Sequence, residues 1–362
     1  MSLLELRDIS MSFEKKGKFL EPNQEIKVLR NINLNIEAGE IVVLVGESGC
    51  GKTTIGKIIT GLLKPTKGQL LFNGKNIYRT TLQSLAEGLR RRETKEERRK
   101  RKQQAEENRA RLAEFENSVQ FVQQDSYAAL NPARTIYQSL YAPIANKYPE
   151  WNQEEVEKRI EEVMGLVGML PSDLYLYKFP HQLSGGQRQR ILMARAISLD
   201  PKLIVADEPV SMIDVSLRLS ILDLMKNLNE QLGIAFVYIT HDLSTARYIG
   251  QNGRICIMYL GEIVELGGVD DVIANPRHPY TQALLSAVPM PDPVLARQER
   301  KIVLKSMDVG NLVDRKNGCP FFDRCVYAHP ECEENAPAYV QTPTAQVKCA
   351  CLHEVPIWKN TP

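Results

Sequence analysis

With 362 residues, 43% of them hydrophobic, the chain can bury a substantial core and is long enough for two or three domains. Its 46 Lys and Arg nearly balance 44 Asp and Glu, a net charge of +2, which argues against nucleic-acid binding by the protein as a whole while leaving local patches open. No segment reaches the ~18 uninterrupted apolar residues of a membrane span, and Met1-Ser2-Leu3-Leu4-Glu5 lacks the basic and apolar regions of a secretory signal, so a soluble, cytosolic protein is expected.

Residues from Leu3 to Ile36 alternate as strands do, with Leu4, Leu6 and Ile9 first and Val28, Ile32, Leu34 and Ile36 later, which predicts a small antiparallel sheet. Phe13 lies between these strands, where an aromatic can stack on an adenine or simply pack. Ile41 to Val45 reads as a buried strand, and Ile55 to Leu63 carries apolar residues at helical spacing. Between them stands Gly46-Glu47-Ser48-Gly49-Cys50-Gly51-Lys52-Thr53, followed by Thr54. A G-x-x-x-x-G-K-[ST] loop in that setting wraps a polyphosphate with backbone N–H groups, which glycines allow to approach closely, and the helix start adds favourable partial charge. Lys52 then meets the β- and γ-phosphates and Thr53 a magnesium ion.

A turn at Leu63 to Gly68, a strand from Gln69 to Phe72 and an Asn73-Gly74 turn come next. Leu82 to Val119 reads as one long helix or a helical hairpin, with apolar ends (Leu82, Leu85, Leu89; Leu112, Phe115, Val119) and a middle, Arg90 to Lys102, too polar to bury. That middle is either a solvated face held by i, i+4 ion pairs or a basic arm for anionic headgroups or an acidic partner. Gln124 follows the apolar Phe121-Val122, where its carbonyl can meet magnesium or orient a water. Val156 to Leu170 is expected to be an amphipathic helix. Ser184 is the expected N-cap of a helix running to Leu199, and Gly185-Gly186 leave N–H groups open to an anion at its start. Leu203 to Asp207 is a short apolar strand delivering Asp207 and Glu208, an acid to hold magnesium and an acid to polarise water. Ile234 to Ile239 brings Thr240-His241-Asp242 to the same carboxyl edge, and Arg254 to Met258 and Glu262 to Leu266 read as two further strands.

The loop at Gly46 to Thr53, Gln124, Leu183-Ser184-Gly185-Gly186-Gln187, the Asp207-Glu208 strand end and His241, in this order, resemble the ATP-binding subunit of an ABC transporter. The resemblance covers roughly residues 1–268. It implies an α/β P-loop NTPase with an antiparallel β subdomain, a helical subdomain at about 125–190, a charged helical insertion at about 82–118, and a small cysteine-containing extension at 269–362. It implies ATP and Mg²⁺ as cofactors and a role for each matching residue: Phe13 on adenine; Gly46, Glu47, Ser48, Gly49, Cys50, Gly51, Lys52, Thr53 and Thr54 around the phosphates; Thr53, Gln124 and Asp207 on magnesium; Glu208 as general base; His241 on the γ-phosphate. Ser184, Gly185, Gly186 and Gln187 would bind ATP held by a second ATPase subunit. Ser211-Met212-Ile213-Asp214 stands where the family has Ser-Ala-Leu-Asp, keeping Asp214 and departing at Met212 and Ile213.

Asn275-Pro276-Arg277-His278-Pro279-Tyr280-Thr281 and Gly318-Cys319-Pro320-Phe321 through Arg324-Cys325 resemble the oligopeptide/dipeptide importer ATPases, in the F-type partner. The expected function is therefore ATP hydrolysis that powers import of di- or oligopeptides. The expected partners are a second, different ATPase subunit, two transmembrane permeases and an extracytoplasmic binding protein, with the chain on the cytoplasmic face of the membrane and no nucleic acid. Oligosaccharide or nickel import is the alternative within the class, and a soluble ABC ATPase on ribosomes or DNA the alternative outside it.

Most of the seven cysteines crowd toward the C-terminus, and an odd number is a poor disulfide framework. Cys319, Cys325, Cys332 and Cys349 supply four thiols, with Cys351 and His353 as spares, in a stretch short of apolar core. The resemblance implies a [4Fe–4S] cluster; zinc or thiols without metal are the alternatives, because no tight C-x-x-C pair decides the matter. Cys50 and Cys256 read as small buried residues.

Overall fold

Strands β1 (Leu4–Lys15) and β2 (Gln24–Ile36) pair antiparallel, Leu4 opposite Ile36, as their alternation predicts; β1 runs on through Phe13, which pairs with Ile26 instead of lying between the strands. The computed structural model describes residues 2–15, 24–78, 95–288 and 318–349, with a few more between 302 and 310 and at 352, 355 and 356. Leu82, Leu85, Leu89, Cys351 and His353 lie outside the described residues. β4 (Lys67–Phe72) and β5 (Lys75–Asn76) complete a four-stranded sheet in the order β2-β1-β4-β5.

The second sheet has eight strands and carries the chemistry. Its centre is parallel: β3 (Ile41–Val45) lies between β8 (Ala235–Thr240) and β9 (Arg254–Tyr259), and β7 (Leu203–Asp207) joins β8 to β6 (Val119–Val122) at the edge. These strands are mostly apolar because both faces are covered. In β3, Ile41, Val43 and Val45 belong to the core beneath the helices, whereas Val42 and Leu44 belong to the core shared with the antiparallel sheet and α1 (Lys52–Ile59). α1 lies close to the sheet at Gly56, where a Cβ would come 2.9 Å from Ile239 Cδ1 and 3.2 Å from Val205 Cγ1.

Beyond β9, β10 (Glu262–Gly268) turns back antiparallel, and the C-terminal segment adds β12 (Ala345–Lys348) and β11 (Tyr339–Gln341) to the same sheet. The extension thus continues the core sheet edge to edge, a pairing that strand periodicity did not reveal.

Between β5 and β6 the described part of the charged stretch is a single helix, α2 (Lys95–Ser118). Its far end is anchored by Phe115, which meets Phe72 edge-on at 5.4 Å and lies under Gly61. Val119, expected to end the helix, instead begins β6, because its side chain is buried in the core between the sheets. The helical layer holds α3 (Ser126–Ala129), α4 (Ile136–Lys147), α5 (Gln153–Leu166), α6 (Asp173–Leu176) and α7 (Gly185–Ile197). α5 stops at Leu166 rather than Leu170, since Gly168 takes a left-handed φ of 68° and breaks the ladder.

Candidate nucleotide site

The loop from Gly46 to Thr53 leaves the carboxyl end of β3 and turns into α1, as a strand–glycine loop–helix should. Gly49 and Gly51 have φ of 80° and 105°, which other residues adopt only with strain. A Cβ on Gly46 would lie 2.2 Å from the Met258 carbonyl oxygen, so that position has no room for a side chain. Lys52 is buried, and its Nζ donates to the carbonyls of Gly46 (2.7 Å) and Glu47 (2.9 Å). The lysine is thereby held against its own loop. Cys50 is buried as expected, and burial raises its thiol pKa; Cys256 is buried too, its thiol pushed up to about 12.

Three parallel strands beside β3, namely β6, β7 and β8, deliver the remaining groups to the same edge. Asp207 ends β7; burial raises its carboxyl pKa, with Thr53 and Lys52 opposing the shift. Glu208 follows with φ 45°, uncommon for a residue with a side chain, and its N–H donates to the Ile239 carbonyl at 2.9 Å. One Glu208 oxygen lies 2.9 Å from His241 Nδ1; the other accepts from Gln124 Nε2 at 3.0 Å. Gln124 also donates to Ser211 Oγ at 3.3 Å, and Ser211 Oγ donates to the Glu208 carbonyl at 2.9 Å. A carboxylate steered by two side chains from neighbouring strand ends is shaped to take a proton from water. Ser211 belongs to this network although sequence reasoning gave it no role; its place four residues beyond Asp207 was the available signal.

Ser184 stands apart. It caps α7 by accepting the Gln187 N–H at 3.3 Å, and Gln187 Oε1 accepts the Ser184 N–H at 2.9 Å. Ser184 is exposed, Gly186 is buried, and Gly185 faces the Met212 carbonyl. Asp214, exposed, precedes α8 (Val215–Leu232), and Phe13 is 42% exposed on β1. Among the described residues no hydrogen bond joins Phe13 or the Ser184 turn to the loop at Gly46.

The C-terminal cysteines come together. Cys319, Cys325, Cys332 and Cys349 line one cavity with His278, Pro279, Phe321, Phe322 and Ala328. Cys319 N–H donates to the Cys332 carbonyl at 2.7 Å, and a Cβ on Gly318 would lie 2.3 Å from that oxygen, so the two thiol-bearing stretches are in backbone contact. Among the described residues no group of three or more His, Cys, Asp or Glu has the spacing of a metal site.

Comparison with known proteins agrees with this geometry. Residues 29–211 match the family model described as ABC transporter, and residues 264–332 that described as oligopeptide/dipeptide transporter, C-terminal region. The chain is 38% identical over 338 residues to the oligopeptide transport ATP-binding protein OppF of Salmonella typhimurium, covering 92% of each chain. It is 37% identical over 339 residues to the dipeptide transport ATP-binding protein DppF of Haemophilus influenzae, covering 94% of this chain and 92% of that one. Among solved structures, a dimeric post-hydrolysis ATP-binding cassette, MJ0796, bound to ADP and Pi is 28% identical, with a TM-score of 0.58 over 74% of this chain and 98% of that one. The phosphate loop, the acids at the end of β7 and the matching family models together place this chain in the ABC transporter family, as an ATPase that uses ATP and Mg²⁺.

Proposed function

We propose that this chain hydrolyses ATP to power the import of di- or oligopeptides through partner membrane permeases. The observation that carries the proposal is the Glu208 carboxylate held by His241 and Gln124 at one strand edge, on a chain whose C-terminal region matches that of oligopeptide/dipeptide transporters. In this reading the catalytic unit spans 1–268, with a helical subdomain at about 125–190 and a charged helical insertion at about 82–118, and the importer extension spans 269–362. Lys52 exchanges its loop carbonyls for the β- and γ-phosphates, the loop from Gly46 to Thr54 surrounds them with N–H groups, and Phe13 stacks on the adenine. Thr53, Asp207 and Gln124 hold the magnesium ion that neutralises phosphate charge. Glu208 takes the proton of the attacking water and His241 meets the γ-phosphate.

Ser184 to Gln187 and Asp214 complete the site of a second ATPase subunit, of a different sequence, so closure requires two chains. ATP favours the closed pair only through contacts absent from the open one, which makes closure the mechanical step. Two transmembrane permeases and an extracytoplasmic binding protein complete the assembly, and the chain sits peripherally on the cytoplasmic face. No helix of the described residues is long and apolar enough to cross a membrane.

Cys319, Cys325, Cys332 and Cys349 are proposed to hold a [4Fe–4S] cluster. Four soft thiol donors around one cavity suit such a group. When bound, the cluster supplies a cross-link to a segment with little core of its own. Purification without oxygen is expected to give a brown protein with about four irons per chain, the number in such a cluster; zinc, or no metal, would sink this assignment.

The functional proposal is tested by tagging the chain and identifying what copurifies from membranes. Two permeases and a second ATPase, with ATP hydrolysis stimulated by a peptide-loaded binding protein, are expected. Copurifying nucleic acid with a steep salt dependence, or stimulation by an oligosaccharide or nickel carrier instead, would overturn it.

A further inference from the structure

Glu47, the second residue of the phosphate loop, is held at three points. Its N–H donates to Tyr280 Oη at 3.0 Å, its carbonyl accepts from Lys52 at 2.9 Å, and its two carboxylate oxygens lie 3.0 and 2.9 Å from Arg324 Nη1. Two of these three holds come from the far end of the chain. Tyr280 is the second residue of α9 (Pro279–Ser286), and Arg324 stands beside Cys325, which lines the cysteine cavity. The Arg324 side chain is 7% exposed, lies against Tyr259 and Phe321, and brings a second contact from Nη1 to Tyr259 Oη at 3.4 Å.

A carboxylate is a poor neighbour for a triphosphate. In a loop built to bind a polyanion, an unneutralised Glu47 would repel the ligand through a partly buried, weakly screened path. We propose that Arg324 and Tyr280 are positioning residues for the phosphate loop: Arg324 neutralises Glu47, Tyr280 turns the Gly46–Glu47 peptide, and the cysteine-bearing segment thereby sets nucleotide affinity. The proposal rests on the ATPase reading of the loop and adds to it a dependence on residues more than 230 positions away.

The sign of the effect is testable by substitution in the full-length chain, with a fluorescent ATP analogue as probe. Arg324→Met is expected to weaken binding about tenfold, with KM for ATP rising in step and kcat within about twofold, since one desolvated charge pair is worth a factor of this size. Glu47→Gln in the same chain is expected to restore binding to within about threefold of the original, because the charge that needed neutralising is gone. Arg324→Lys, which keeps the charge, is expected to stay within the same range. Tyr280→Phe, which deletes only the hydroxyl, should weaken binding without rescue by Glu47→Gln; it supplies the test if Arg324→Met does not fold. An Arg324→Met chain that binds as tightly as the original overturns the proposal, as does one that Glu47→Gln fails to rescue. An original chain that binds no ATP would instead undo the ATPase reading.

Discussion

Glu208 and Asp207 are adjacent carboxylates with different surroundings. Glu208 is oriented by His241 and Gln124, and Glu208→Gln should bind ATP yet lose about 10²- to 10⁴-fold in turnover, the span typical of a lost general base; single-turnover hydrolysis at the original rate would remove Glu208 from that role. Asp207 is raised by burial above its ordinary value of 3.8, so the folded chain binds more protons than the unfolded one between that value and its folded pKa. Stability contributed at this position is therefore lost as pH rises through the window and stays lost at neutral pH. Asp207→Asn should raise the metal-free melting temperature at pH 7, while weakening the magnesium dependence of hydrolysis. Thermal melts with and without magnesium check both halves. These two acids were legible in the sequence because an apolar strand ran straight into them. The pairing of Glu47 with Arg324 was not, because nothing local to either residue marks a contact across 277 positions.

The phosphate loop and the start of α7 are constrained by their glycines and caps. Gly46→Ala would drive a methyl group into the Met258 backbone carbonyl, with the buried Cys50 sulfur close on another side. Loss of soluble protein, or a stability loss of about 2–3 kcal/mol with nucleotide binding abolished, is the expected result. Ser184→Ala removes the cap of α7 and should cost about 1 kcal/mol by chemical denaturation. If that turn covers a nucleotide on a second subunit, hydrolysis by the assembled pair should fall much further than this stability change, and isolated-chain nucleotide binding should not. The α7 start was readable from Ser184 and Gln187 alone, since a capping box is a local pattern. The change from helix to strand at Val119 was not, because burial of Val119 and Phe115 against the opposite sheet decides it.

At the scale of the molecule, the P-loop order and the parallel centre of the sheet followed from periodicity and motif spacing, since parallel strands buried on both faces give continuous apolar runs. The far end of that sheet did not, because β11 and β12 are short and β11 is exposed along its length. β12 gives hydrogen bonds to β10 from Glu265 to Gly267, Lys348 pairs with the buried Glu262, and Tyr339 Oη donates to the Ile263 carbonyl at 2.7 Å. A chain cut after residue 268 would keep every motif of an ATPase. It would also leave β10 with an open row of amides and carbonyls and Glu262 stripped of its cation, the kind of bare margin on which another polypeptide can zip itself. Such a trimmed protein is expected to come out of cells as aggregates or strand-swapped oligomers, and a clean monomer by light scattering would show the tail to be dispensable for solubility.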